Sequence, residues 1–542
     1  MNIFKDRFSE IKKASEPLYK SPKSVQETIE ILRISESGIF EVADGKYSKT
    51  YRFSDVNYAT RSEEEQESFF QRYCRCLNSF DCTFKITVNN KNKDMDVLRN
   101  EVMLKYRNDG FDKMRESYNR IIEEKILEGR QGIEQERYLT ITIERKNFEE
   151  AKAQFATIEA SMFRSFAELG SKLTPLTGNE RLKILHDYYR LGREDEFNFD
   201  IRQGRITGTD FRNEICNTRI KYHPDCFENE GKVGRVLFIK KYPTYLSDRF
   251  FTELTFLPVH SVTSVDVVPV PKDLTMKMLQ KKYLGIESDI IKQQRTRNRN
   301  NDFSSDISYA TRQKKKDIEE IMNNVRENDE SLYYVSVTMI VMADNRDELE
   351  SICETVDSIA KGAGCAVDTC MYKQREAVNT TLPIGVRQIE TMRTMLTQSL
   401  AVLMPFNVQE LCDKNGIYYG VNQISKNIIV GNRKKLLNGN GFIFGVSGAG
   451  KSFQAKMEMG SVLLSTDDNV IAVDPMNEYE DVTEKYNGTY INISTNTRNY
   501  INPMDMDVWN LDVLDSKGWV RDKCQFMLSI CEQIMKEITP QQ

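Results

Sequence analysis

Eight consecutive residues, Gly445-Val446-Ser447-Gly448-Ala449-Gly450-Lys451-Ser452, spell the pattern G-x-x-x-x-G-K-[ST]. Phosphate oxygens are gathered by backbone N–H groups at a helix N-terminus, so the chain must come close to them and bend sharply, which glycines at 445, 448 and 450 permit. Lys451 can then bridge the β- and γ-phosphates of ATP. Ser452 offers a hydroxyl to Mg²⁺, a hard cation that takes oxygen ligands and keeps most of the others from water and nucleotide. The competing interpretation is a glycine-rich turn with an incidental Lys-Ser pair. Context weighs against it: Gly441-Phe442-Ile443-Phe444 has the apolar character of a short strand feeding the loop, and Phe453 to Leu464 that of a buried helix leaving it.

A second element belongs beside this loop. Asn469-Val-Ile-Ala-Val-Asp474 is an apolar stretch ending in a carboxylate, followed by Pro475, Met476, Asn477, Glu478 and Tyr479. Parallel α/β sheets place ligands at the carboxyl ends of their strands, which makes Asp474 a candidate Mg²⁺ partner. Alternatively, Asp474 and Glu478 organise the nucleotide pocket or a neighbouring subunit's edge, and the Mg²⁺ carboxylate lies further on. The residues alone leave both open.

Taken together, Pro405-Phe406, Gly416-Ile-Tyr-Tyr-Gly420, the loop 445–453, Asp474-Pro-Met-Asn-Glu-Tyr479, Gly488-Thr-Tyr-Ile-Asn-Ile-Ser494 and Ile501-Asn-Pro-Met-Asp505 resemble, in order and spacing, the conjugative-transfer ATPases that energise type IV secretion channels. The resemblance is specific over about residues 400–510 and is nearest to the versions carried by mobile elements of Gram-positive bacteria. It implies a RecA-like motor of the HerA and FtsK type, usually hexameric, coupling ATP hydrolysis to channel assembly or to transfer of DNA or protein. Other channel subunits would be its partners at the inner face of the membrane, with DNA contact indirect. In that family the Mg²⁺ and water-activating carboxylates lie in a segment well downstream of the Asp-Pro motif. No such segment precedes Gln542, so the expectation is a C-terminally truncated motor that binds ATP. Alternatives are a DNA-translocating motor of the same superfamily and a non-catalytic, nucleotide-gated scaffold.

The whole chain bounds these readings. Its 542 residues suggest two to four domains, and 29% charged residues with a net charge of −5 give no overall argument for nucleic-acid binding. No apolar run reaches the roughly 20 residues of a spanning helix, and Met1-Asn-Ile-Phe-Lys-Asp-Arg7 lacks a signal core, so a cytoplasmic protein peripheral to the membrane is expected. Eleven cysteines are expected to be reduced thiols. Cys74, Cys76 and Cys82, or Cys216, His223 and Cys226, lack paired zinc-ligand spacing.

The predicted fold class is α/β: an N-terminal α+β region, then a partial RecA-like P-loop domain. The first 400 residues carry an internal echo. A helix over 63–77 precedes a strand over 82–88, and a strand over 136–144 precedes a helix over 147–169. The same arrangement recurs as a helix over 246–255 before a strand over 264–270, and a strand over 332–342 before a helix over 345–360. Two stacked ferredoxin-like halves would account for this, as would a generic α+β array. The expected domains are 1–385 for docking, a connecting helix over 386–403, and 404–542 for the ATPase, incomplete at its C-terminus. A basic stretch, Lys292 to Arg299 and Arg312 to Lys316, reads as a solvated helical face or hairpin arm in preference to a nucleic-acid site, because Asp317, Glu319 and Glu320 adjoin it. The final helix, about 517–538, leaves an apolar face at Val520, Met527, Ile530, Ile534 and Ile538.

Overall fold

The computed structural model describes residues 22–92, 99–100, 102–128, 133–243, 245–299, 309–327, 330–494, 497, 499, 502–505 and 516–535. Two compact units emerge: Met1–Met103 with Tyr118–Gly439, and Leu104–Ser117 with Asn440–Gln542.

The larger unit is built on a repeat. Its first copy runs β1 (Lys46–Phe53), α1 (Glu63–Asn78), β2 (Thr83–Asn92), β3 (Ile133–Glu144), α2 (Phe148–Leu169) and β4 (Leu173–Pro175). The second runs β5 (Lys232–Lys241), α3 (Arg249–Thr255), β6 (Ser261–Val270), β7 (Leu332–Ala343), α6 (Arg346–Gly362) and β8 (Ala366–Thr369), with α4 (Lys272–Arg299) and α5 (Tyr309–Glu327) inserted between β6 and β7. Spatial order is β4-β1-β3-β2 in one copy and β8-β5-β7-β6 in the other, all antiparallel. This is the ferredoxin-like arrangement twice over. The copies lie side by side instead of stacked, because β2 pairs with β6 from Phe84↔Val267 to Asn90↔Ser261 and makes one continuous sheet.

Local chemistry explains the echo. Asn147 caps α2 by accepting from the Glu150 N–H, and Asn345 caps α6 by accepting from the Glu348 N–H, the same device at the same place in each copy. Alternation along the strands then divides the sheet's faces. One face sends Phe84, Ile86, Ile141, Val265, Val337 and Met339 against helix residues such as Phe69, Phe155, Met162 and Val356.

The opposite face carries hydroxyls. Thr50 and Thr140 lie 3.0 Å apart, Thr87 and Ser264 2.8 Å apart, and the backbone of residues 381–385 crosses them. Ser264 Oγ donates to the Thr381 carbonyl and Ser48 Oγ to the Ile384 carbonyl, each at 2.5 Å. Gly385 has φ +94°, and a Cβ there would come within 2.6 Å of both Ser48 Cβ and Thr142 Oγ1.

That crossing overturns the connecting helix expected over 386–403. Arg387 is tied to Asp266 of β6 at 2.7 Å, and Arg393–Leu396 forms β9 along the Leu332–Val335 end of β7. Only α7 (Thr397–Ala401) is helical. The open backbone edge at the start of β7 captures the chain before a helix can form.

The division expected at residue 404 also moves. Phe406 stacks edge-on against Phe53, Phe69 and Tyr73 with ring centroids 5.5–5.7 Å apart, and Arg137 Nε donates to the Pro405 carbonyl at 2.7 Å. These residues complete the larger unit's core. The hairpin of β10 (Ile417–Val421) and β11 (Ile428–Gly431) belongs to the same unit.

Among the described residues no helix is long and apolar enough to cross a membrane. All eleven cysteines are free, and no described group of three His, Cys, Asp or Glu side chains is arranged to hold a metal.

Candidate nucleotide-binding site

The loop 445–450 enters α8 (Lys451–Ser465), so Lys451 and Ser452 occupy the first turn of a helix, as their spacing predicts. Gly448 and Gly450 have φ of +80° and +89°, a region that residues with a Cβ rarely adopt, and Gly450 is the N-cap. A Cβ on Gly445 would stand 3.2 Å from Ala449 Cβ and Lys451 Cγ, so the loop folds tightly on itself. Lys451 Nζ donates to the carbonyls of Gly445 at 2.9 Å and Val446 at 3.0 Å, drawing the ammonium over the loop.

The first intrahelical bond is Gln454 N–H to Gly450 carbonyl at 2.9 Å, leaving the N–H groups of the opening turn without an intrahelical acceptor. Exposed donors, a helix dipole's positive end and a flexible ammonium fit a polyphosphate. The Ser452 hydroxyl fits a Mg²⁺ that also ligates nucleotide oxygens. Val446, Ser447 and Ala449 supply backbone to the same curve.

Asp474 holds a turn. Its Oδ1 accepts from Met476 N–H at 3.1 Å, and its Oδ2 accepts from Glu478 N–H at 2.6 Å and Tyr479 N–H at 2.9 Å. Desolvation works to raise its pKa, but the backbone donors outweigh it and hold the carboxyl below its ordinary range. The turn leads into α9 (Glu480–Lys485). Among the described residues no hydrogen bond or ion pair joins Asp474 or Glu478 to Lys451 or Ser452. The two motifs are nevertheless neighbours: Lys456 Nζ of α8 sits 5.6 Å from the Tyr479 ring centre, and a Cβ on Gly460 would come within 2.7 Å of the Tyr486 hydroxyl.

Residues 441–444 and 469–474 carry no strand pairing, contrary to the expectation from their apolar sequences. A strand needs a neighbour to take its N–H and C=O groups, and among the described residues none does. Ile471 and Val473 are consequently more than 90% exposed, and the Phe442 and Phe444 rings stack on each other at 5.6 Å. The helix α8 is also less buried than expected, only Gly460, Ser461 and Leu464 being fully covered. In the last helix, α10 (Ser516–Ile534), Val520 and Ile534 are exposed while Met527 and Ile530 are partly covered; Ile538 lies outside the described residues.

One pair of residues in this unit escaped the motifs. Arg115 is fully buried, with Nε donating to the Leu464 carbonyl at 3.1 Å and Nη1 donating to Asp109 at 2.6 Å and Asp112 at 2.7 Å. Arg107 Nη2 donates to the Ser465 carbonyl at 2.7 Å and Nη1 to Asp467 at 2.7 Å. Two cations thus satisfy the orphan carbonyls at the negative end of the helix whose other end is the phosphate loop. The local clue is Asp109-Gly-Phe-Asp112, whose carboxylates cap their own turn. Nothing in the sequence pairs that turn with a helix 350 residues later.

Residues 432–540 match the family model described as helicase HerA, central domain. The match covers the loop, the Asp474 turn and α10, and supports a P-loop ATPase of the HerA/FtsK-like superfamily in this part of the chain. No curated protein matches the chain.

Proposed function

We propose that this chain is the ATP-binding motor subunit of a conjugative type IV secretion system, coupling ATP hydrolysis to channel assembly or to transfer of DNA or protein. The observation that carries the nucleotide-binding part is the coincidence of the HerA central-domain match with a helix-opening Gly-x-Gly-Lys-Ser turn. The conjugative assignment draws its support from the ordered motifs between residues 400 and 510, above all Asp474-Pro-Met-Asn-Glu-Tyr479 following the loop. In this reading Gly445 to Ser452 bind ATP and Mg²⁺, Asp474 shapes the pocket wall, and the duplicated ferredoxin-like unit docks on channel subunits at the membrane.

The test is mating frequency from a donor whose sole copy of this protein carries Lys451→Ala. Transfer should fall by at least a hundredfold with the protein present at normal level. Undiminished transfer contradicts the proposal. The HerA likeness also favours a second reading, a DNA-translocating motor, which predicts that duplex DNA stimulates phosphate release severalfold; the conjugative reading expects no such stimulation.

A further inference from the structure

The strand β9 borders a groove in the larger unit that the nucleotide chemistry does not use. The cavity is about 890 Å³. Half-buried apolar side chains line it: Phe70 of α1, Leu246, Ile321 of α5, Met395 and Leu396 of β9, and Val402. Along one side stands the segment after β5, where Tyr245 is 85% exposed.

Two properties together specify an occupant. Among the described residues β9 pairs only with β7, so alternate N–H and C=O groups of an accessible strand point away from the sheet. The charges around the groove are also unbalanced. Lys240 is satisfied by Asp368 at 2.7 Å, and Asp248, the one carboxylate among the described residues that line the groove, accepts from the Tyr58 hydroxyl at 2.8 Å. Lys241 and Arg393 are both exposed, and among the described residues neither has a carboxylate partner; Arg393 donates only to the Lys240 carbonyl at 2.7 Å.

We infer that this groove binds an extended segment of a partner polypeptide by strand addition to β9, with apolar side chains entering the groove and carboxylates meeting Lys241 and Arg393. Backbone pairing supplies affinity in such complexes, while alternate side-chain positions supply selectivity. An exposed cation on an edge strand also discourages self-pairing, because a second β9 would bring Arg393 near its own copy. The inference does not depend on the conjugative reading.

The experiment uses the full chain and fluorescently labelled hexapeptides of alternating valine and glutamate, followed by anisotropy. Controls are the valine–lysine counterpart and a valine–glutamate peptide with alternate backbone nitrogens methylated. The unmodified acidic peptide should bind at least tenfold more tightly than either control. The double variant Lys241→Glu, Arg393→Glu should invert the preference toward lysine, with nucleotide binding and thermal midpoint unchanged. Absence of acidic-peptide binding, equal binding of the methylated peptide, or a preference unmoved by the charge reversal overturns the inference. So does a change in sedimentation of the peptide-free double variant, which would make a second copy of the chain the occupant.

Discussion

At the residue scale, buried charge is used in two different ways. Arg115 is a fully buried cation surrounded by acceptors, so truncation removes a charge, takes the donor from the Leu464 carbonyl and leaves the carboxylates of Asp109 and Asp112 with backbone N–H donors alone. Arg115→Ala should destabilise the smaller unit by about 2 to 3 kcal/mol. Hydrogen exchange should show faster opening at Leu464 to Thr466, while exchange in β2 and β6 stays unchanged. Lys85 sits at the seam between the repeats, 3.8 Å from Asp266, with its ammonium donating to the carbonyls of Thr380, Leu382 and Val386. Burial depresses its pKa to about 8, the attraction of Asp266 opposing the shift and Arg387 adding to it. Because the folded value lies below the ordinary 10.5, the folded chain binds fewer protons than the unfolded chain between about pH 8 and 10.5. Stability from this group therefore rises with pH across that window, by up to about 3 kcal/mol. The unfolding midpoint of the wild type relative to Lys85→Met should climb between pH 7.5 and 10; a flat difference would show that the ammonium is not desolvated.

At the element scale, what could be read in the sequence was what local chemistry controls. The helices capped by Asn147 and Asn345 begin where those residues place them, and α8 begins at the glycine that releases the loop. The basic stretch falls on α4 and α5, a helical hairpin in which Lys315 bonds Glu287 at 3.0 Å and lies over the Tyr283 ring, in keeping with the arm reading. Elements decided by distant partners were not legible. Residues 386–403 have a plausible helical pattern, yet the edge of β7 and the carboxylate of Asp266 determine their path. The apolar runs at 441–444 and 469–474 have strand composition without a described neighbour to complete a ladder. Gly385 marks how demanding the crossing over the hydroxyl face is. Gly385→Ala should cost about 3 kcal/mol, combining a left-handed backbone with two contacts too close for a methyl group. Calorimetry of the larger unit's transition checks this, and an unchanged midpoint would mean that the crossing segment can lift away without loss.

At the scale of the whole molecule, most of the folded core belongs to a duplicated ferredoxin-like sheet, while the candidate nucleotide site lies in a separate, more exposed unit that recruits Leu104–Ser117 from far upstream. The duplication was legible from paired strand and helix patterns. Its side-by-side closure through β2 and β6 was not, because either strand could equally have ended as an edge. The loop's conformation was the most legible feature of all, since a short run of residues encodes its turn and the start of α8. Under the proposed function this run binds a nucleoside triphosphate. Equilibrium titration of the chain with mant-ATP, with and without Mg²⁺, alongside Lys451→Ala, tests it most directly. Saturable binding strengthened by Mg²⁺ and weakened at least tenfold in the variant, with an unchanged circular-dichroism spectrum, is the predicted result. Equal affinity in a folded Lys451→Ala chain would contradict the assignment of the site.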